Sequence, residues 1–164
     1  MPWVVHSTVP YPLLKEAGTP RMLSDAGVGP EIYFSAATLD ALSRAEAESV
    51  AETLRDAGIR SLSCHAPFED IWPGARDEEA RRLAVRRIGG AIALAPAFRP
   101  AGVVLHGGYS DWLFDFQPEK WHAAARRSFG ELAEAAEKAG TDLFVENVFD
   151  EIPDHLLRLR EAVG

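Results

Sequence analysis

Ala101-Gly-Val-Val-Leu-His-Gly-Gly108 carries the clearest structural signal in the chain. Three large apolar residues, two of them β-branched, run directly into His106 and a pair of glycines. This composition is typical of a strand buried on both faces of a parallel sheet, with a side chain delivered at its carboxyl end. We therefore predict a buried strand here and take His106 as a candidate for chemistry.

Two other stretches repeat this arrangement. Arg60-Ser-Leu-Ser-Cys-His-Ala-Pro-Phe68 contains His65, and Thr141-Asp-Leu-Phe-Val-Glu-Asn-Val148 contains Glu146. About 40 positions separate each candidate from the next, which is enough for a loop, a helix and another parallel strand. The spacing therefore predicts a β/α repeat that presents residues of metal-ligand type on one rim.

Length and composition favour one soluble globular domain. The chain has 164 residues, of which 47% are hydrophobic and 26% charged, so a substantial core is expected. The formal net charge of −8 provides no basic footprint, and nucleic acid is not an expected partner. Four arginines cluster at 81–87 beside acidic residues, which predicts a solvated helix face.

The cellular compartment is predicted from features that the sequence lacks. Cys64 is the only cysteine, so no internal disulfide can form and a reducing cytoplasm is predicted. No segment has the form of a secretory leader, and no run approaches the ~20 apolar residues that span a bilayer. We expect a cytoplasmic protein with no membrane partner.

Periodicity and punctuation predict five strands alternating with helices. The strands are predicted at 2–7 (ending at His6), 31–34, 59–65, from 102 and at 143–146, with helices at 13–26, from Ser43 to Gly58, from Asp77 to Pro96, from Pro118 to Gly140 and from Pro153 or Asp154. The long loops 66–74 and 107–117 are predicted to wall a pocket. Cys64, which alternates with His65, is predicted to face the helices and the core.

This order of elements defines an α/β protein with a parallel sheet, and two architectures compete. An open five-stranded sheet of flavodoxin type usually carries a glycine-rich phosphate loop after its first strand, and His6-Ser-Thr-Val-Pro-Tyr11 is not such a loop. A (β/α)₈ barrel places its active site at the carboxyl ends of its strands, but typically needs ~250 residues. As a barrel, this chain would lack three units.

The succession of His65-Ala-Pro-Phe, His106-Gly-Gly and Glu146-Asn-Val at successive strand ends resembles the xylose isomerase-like TIM barrels. This superfamily includes sugar-phosphate isomerases and epimerases as well as type IV apurinic endonucleases. The resemblance covers the whole chain. It implies a single domain over 1–164 that corresponds to the first five β/α units and lacks the last three.

The resemblance also implies ligand sets. By similarity to the endonucleases, His65, His106 and Glu146 would bind zinc. By similarity to the isomerases and epimerases, Glu146 would bind one divalent ion, such as manganese or magnesium, and the histidines would more often touch substrate. The remaining ligands in both branches come from strands six to eight.

The chemistry of isomerisation suits these residue types. A hard cation held by carboxylate and imidazole polarises a sugar carbonyl and hydroxyl, and a base moves a proton between adjacent carbons. Glu146 and His106 are the candidate catalytic residues, and His65, His106 and Glu146 are the candidate ligands of Mn, Mg or Zn. The candidate substrate-binding residues are His6, His65, Trp112 and Asn147. Structural alternatives are a salt-bridged Glu146, buried histidines, a turn asparagine and an aromatic cover over the barrel mouth.

Three functions follow as hypotheses. The first is a divalent-metal-dependent isomerase or epimerase of a small sugar or sugar-derived hydroxy-carbonyl compound. The second is a zinc phosphodiesterase that acts on abasic DNA. The third is a non-catalytic half-barrel, because a five-stranded arc exposes sheet edges and apolar interior. Such an arc predicts a homo-oligomer or a complementing carboxyl-terminal half.

Overall fold

A computed structural model describes residues 4–148 and 153–163. Its five parallel strands form one sheet in the order β1-β2-β3-β4-β5. The strands are β1 (His6–Pro10), β2 (Gly29–Tyr33), β3 (Ser63–His65), β4 (Val103–His106) and β5 (Leu143–Glu146). The helices are α1 (Thr19–Asp25), α2 (Ala36–Ala41), α3 (Arg44–Asp56), α4 (Glu78–Phe98), α5 (Pro118–Ala139) and α6 (Asp154–Val163), with a 3₁₀ turn at Tyr11–Lys15 after β1.

The strictly sequential strand order confirms the predicted barrel-type α/β arrangement. A flavodoxin-like sheet reverses direction at a switch point, and this sheet does not. Among the described residues, β1 pairs only with β2 and β5 pairs only with β4, so the sheet is open at both edges. The expected five units of a β/α barrel are therefore present as an open arc.

The main core lies between the sheet and its helices. Alternation along each strand sends one set of side chains to this core and the other set to the opposite face of the sheet. Cys64 is fully buried in the core, as predicted, and burial raises the pKa of its thiol. Trp121 of α5 is also fully buried and donates its indole N–H to the carbonyl oxygen of Gly107, which ties α5 to the end of β4.

Several helix ends confirm the sequence prediction. The Ser43 hydroxyl accepts a hydrogen bond from the Glu46 backbone N–H at 3.2 Å, which caps α3. The Asp77 carboxylate does the same for the Ala80 N–H at 2.9 Å at the start of α4. Gly140 ends α5 at a φ of 66°, a left-handed conformation that glycine adopts without steric cost.

Several predicted boundaries are wrong, including those of the second strand, which runs over Gly29–Tyr33, and the start of the third, which begins at Ser63. The first strand begins at His6 and does not end there, because Val9 and Pro10 continue it; the predicted residues 2 and 3 lie outside the described part of the chain. Proline is tolerated in β1 because an edge strand has one unpaired side. The single helix predicted at 13–26 is a 3₁₀ turn followed by α1, separated near Gly18 at a φ of 102°.

Another wrong boundary is the end of α4. Pro96 does not stop this helix, which continues to Phe98 and ends at Arg99 with a φ of 51°. Ala95 and Phe98 are buried in the core on either side of the proline. Their packing offsets the backbone hydrogen bond that Pro96 cannot donate.

One residue of the basic cluster at 81–87 does not lie on the solvated helix face that was predicted. Arg81 is only 5% exposed and is not part of a solvated face. Its guanidinium donates to Glu78 at 2.9 Å and to Glu131 at 2.8 Å, so α4 and α5 are joined by charge-assisted hydrogen bonds. No helix in the described parts of the chain is long and apolar enough to cross a membrane.

Candidate metal centre

Three neighbouring strands each end in a candidate ligand. His65 is the last residue of β3, His106 of β4 and Glu146 of β5. In the register of the sheet, His106 pairs directly with Glu146, and His65 pairs with Val104, two residues before His106. Parallel pairing thus brings together side chains that are far apart in sequence.

The three side chains form a compact donor set. One ligand atom from each residue lies within 4.8 Å of the others. The distance from His65 Nε2 to Glu146 Oε2 is 3.3 Å, and that from His106 Nε2 to the same oxygen is 3.4 Å. Ligands on a tetrahedral ion with bonds of ~2.05 Å lie ~3.3 Å apart, so the spacing fits a metal such as zinc.

A second contact fixes how His65 presents its lone pair. The Nδ1 atom of His65 lies 2.7 Å from the carbonyl oxygen of Ala66. A carbonyl oxygen only accepts, so Nδ1 carries a proton, and Nε2 is the ring nitrogen whose lone pair can bind a metal ion. That lone pair faces the Glu146 carboxylate, which is also an acceptor, and a cation between them would satisfy both groups.

Burial of the two histidines also favours metal binding. The pKa of His106 is lowered chiefly by burial and by the neighbouring His65, against an opposing effect of Glu146. His106 is therefore neutral at pH 7, as a metal-binding imidazole must be. Both histidine side chains are largely shielded, whereas the Glu146 side chain is 50% exposed. The centre is thus accessible from the side of the carboxylate.

An aromatic wall packs against the imidazoles; Phe68 lies on the loop 66–74 that the sequence predicts as a pocket wall, whereas Tyr33 was not predicted at the site. The Phe68 ring stacks on His106 with centroids 4.6 Å apart, and it meets His65 edge-on at 5.4 Å. Tyr33 contacts both Phe68 at 5.1 Å and His65 at 6.0 Å. Burial and the nearby Glu69 raise the pKa of Tyr33, so its hydroxyl stays protonated.

Other predicted site residues lie elsewhere. Trp112 is 83% exposed on the β4–α5 loop, where its ring packs against Phe116. Asn147 follows β5 with the parity of Leu143 and Val145, and with them it lines a cleft of about 720 Å³ between β5, α5 and α6. The structure does not bring Trp112 or Asn147 into the donor set.

His6 is also separate from the donor set. It starts β1 and pairs with Gly29 at the amino ends of the strands, whereas Tyr33 and His65 pair at the carboxyl ends. Its ring contacts Ser61 and Ser63. The wrong boundary of the first strand accounts for this placement, because a strand that ended at His6 would have carried it to the rim.

Fold and donor set together define the class: an arc of a β/α barrel with metal-ligand residues at the carboxyl ends of its strands. The sequence of residues 26–164 matches the model of the xylose isomerase-like TIM barrel family. The chain belongs to this family. No curated protein is similar enough in sequence to count as a match.

Solved structures agree with this assignment. The TTHB071 protein from Thermus thermophilus, in crystals soaked with ZnCl₂, superposes with a TM-score of 0.78 at 25% identity, covering 98% of this chain and 62% of that one. A D-tagatose 3-epimerase-like protein gives 0.69 at 25% identity, with 95% and 60% covered. The 3-keto-D-glucoside 4-epimerase from E. coli gives 0.69 at 16% identity, with 96% and 64% covered. The chain thus spans less than two thirds of the length of each.

Proposed function

We propose that this protein is a divalent-metal-dependent isomerase or epimerase of a small sugar or sugar-derived hydroxy-carbonyl compound. The observation that carries the proposal is the donor set of two imidazole nitrogens and a carboxylate oxygen, close enough to bind one ion. The family and the epimerase-like protein at 25% identity support the reaction class.

Each residue of the centre has a distinct role in this proposal. His65, His106 and Glu146 would hold the ion, which would supply Lewis acidity to polarise a carbonyl and an adjacent hydroxyl of the sugar. His65 keeps its lone pair directed inward through the bond from Nδ1 to Ala66. Phe68 and Tyr33 exclude water from one side of the imidazoles, and the exposed side of Glu146 is where the substrate would approach.

The base that moves the proton would come from a further element. Among the described residues, only His65, His106 and Glu146 form a cluster of three ligand-type side chains. The open edge of β5 lies beside Glu146, and a strand paired there would present a side chain at the same level. Partners are therefore part of the proposal, as a homo-oligomer or a complementing carboxyl-terminal segment.

Apolar exposure near this edge supports a partner. Phe144 of β5 is 45% exposed, and its ring covers Gly102, where a Cβ atom would lie 2.4 Å from the ring. Light scattering of the intact chain tests this part of the proposal. Association is expected, and a monodisperse monomer of full-length mass would count against it.

A zinc phosphodiesterase is the second candidate, because both imidazoles stand in ligand position. The net charge of −8 disfavours a polyanionic substrate. Elemental analysis combined with assays on a panel of ketoses and on abasic DNA separates the two candidates. One ion per chain with ketose turnover is expected, whereas three zinc ions with strand cleavage would reverse the ranking.

Substitution at the centre provides the matched test. Glu146→Gln keeps the size of the side chain but removes the charge that binds the ion. Glu137→Gln, at an exposed position of α5, is the control. We expect metal content and turnover to fall at least tenfold for the first variant and to be unchanged for the second. Equal metal content in both variants would argue against the proposed site.

A further inference from the structure

A second polar cluster lies at the amino ends of β1 to β3, outside the proposed metal centre. Nε2 of His6 is 2.9 Å from the Ser61 hydroxyl, and Nδ1 of His6 is 3.0 Å from the Ser63 hydroxyl. Ser63 in turn donates to Glu31 Oε2 at 3.4 Å, and Thr8 donates to Glu31 Oε1 at 2.9 Å. One continuous hydrogen-bond chain therefore runs from Ser61 through His6 to a carboxylate.

The carboxylate sets the direction of the hydrogen bonds that Ser63 and His6 Nδ1 make. Glu31 can only accept when ionised, so the Ser63 proton points to it and the Ser63 oxygen is left to accept from His6 Nδ1–H. In the neutral ring with its proton on Nδ1, Nε2 carries the lone pair and accepts from the Ser61 hydroxyl. A serine bonded to an imidazole that is oriented by an acidic group is the general arrangement of an activated nucleophile.

The backbone holds this imidazole closely. A Cβ atom at position 29 would lie 2.7 Å from His6 Cδ2 and 2.2 Å from the Ser61 carbonyl oxygen, so only glycine leaves room for the ring beside β2. Ser61 also lines a cavity of about 250 Å³ whose other walls include Val4, Val28 and Ile59. Ser61 therefore borders a small space with apolar walls and one cationic wall, Arg60.

We propose that Ser61 is an activated nucleophile that accepts a short acyl group from an ester, in a second reactive site distinct from the metal centre. The volume and apolar walls of the cavity favour an acyl group such as acetyl. Ser61 lies four positions before His65, about 13 Å away along an extended chain. The inference does not depend on the proposed isomerase function.

The step involves a complete exchange of bonds and protons. The Ser61 oxygen attacks the ester carbonyl carbon while its proton passes to His6 Nε2, and Ser63 with Glu31 stabilises the resulting imidazolium through Nδ1–H. The bond between the carbonyl carbon and the alkoxy oxygen of the ester then breaks, and the leaving alkoxide takes up the proton from His6. The products are an O-acyl serine and a free alcohol, with no oxidant or cofactor required.

The test uses p-nitrophenyl acetate with the intact chain in the presence of a chelator, so that a bound metal contributes nothing. We expect release of one equivalent of p-nitrophenolate per chain, with the acetyl group located on Ser61 by peptide mass spectrometry. Ser61→Ala should abolish this phase. His6→Gln should slow it at least tenfold, because a positioned general base typically contributes ~10²–10⁴-fold. His6→Asn is a second variant in case the first fails to fold.

Ser24→Ala is the matched control, since Ser24 lines the same cavity without a histidine partner in the described structure. It should acetylate at the wild-type rate. Acetylation that spreads over surface lysines, that persists in Ser61→Ala, or that is as fast in the histidine variants as in wild type would overturn the proposal. If Glu146→Gln loses isomerase turnover but still releases one equivalent of p-nitrophenolate, this site is separate from the metal centre.

Discussion

Truncation of Phe68 to alanine removes the ring that lies against both imidazoles of the centre. The ring stacks on His106 at 4.6 Å and contacts His65 at 5.4 Å and Tyr33 at 5.1 Å. It is 37% exposed, so its loss should cost less than the ~3–5 kcal/mol of a fully buried phenylalanine. We expect a decrease of about 2 kcal/mol in the free energy of unfolding.

The effect on metal binding should be larger than a general loss of stability would explain. Residues that orient ligands typically change metal affinity by ~10–100-fold, and free imidazoles would sample other rotamers. Calorimetric titration with Zn²⁺ should therefore show at least tenfold weaker binding in Phe68→Ala at a temperature where the variant is fully folded. Urea denaturation provides the matching stability measurement.

Two further variants separate the role of the Phe68 ring in orienting the imidazoles from its role in packing. Phe68→Leu keeps an apolar side chain but loses the flat ring, and it should recover most of the stability and only part of the affinity. Phe116→Ala removes an exposed ring that packs on Trp112, and should leave affinity unchanged. Wild-type zinc affinity in Phe68→Ala would refute the idea that this ring positions the imidazoles.

Three predictions concern stability. Arg81 lowers the pKa of Glu78 to about 2 in the folded protein. The stability that ionised Glu78 contributes is therefore present above its unfolded pKa of about 4.3 and is lost as pH falls towards 2. In urea denaturation, the free energy of unfolding of Glu78→Gln should depend less on acidic pH than that of the wild type. Tyr11 is buried, its hydroxyl has no hydrogen-bond partner among the described residues, and burial raises its pKa to about 12. Tyr11→Phe should therefore stabilise the fold by about 1 kcal/mol and reduce the loss of stability that begins above pH ~10, and a destabilised variant would contradict this account. Asp77→Ala should cost about 1 kcal/mol in thermal or urea unfolding through loss of the α4 cap, and an unchanged midpoint would argue against it.

The rim residues were predictable because strand ends have a recognisable composition. Apolar, β-branched runs that end in His106 or Glu146 predict strands with those residues at the carboxyl edge, and the near-equal spacing predicts that the edges coincide. Helix caps such as Ser43 were predictable for a similar reason, since their chemistry is local. The alternation of strands and helices predicts a parallel sheet but does not separate a barrel arc from a flavodoxin-type sheet, and the resemblance of the three strand-end motifs favoured the barrel.

The remaining features depend on register and packing, which the sequence does not display. His6 was assigned to the rim because the apolar residues before it resemble a strand, whereas the actual β1 begins there. The stacking of Phe68 on His106 joins the loop after β3 to the end of β4 and has no periodic signature. Asn147 is a different case, because alternation from Glu146 already places it on the opposite face of β5.

Titration of the metal-free protein with Co²⁺, followed by visible absorption, tests most directly whether the three proposed ligands bind a metal ion. The geometry predicts one ion per chain with the intense bands of a tetrahedral site, and loss of those bands in His65→Ala, His106→Ala and Glu146→Gln but not in Glu137→Gln. Absence of stoichiometric binding, or a spectrum that persists in Glu146→Gln, would contradict the assignment of these three side chains as a metal site.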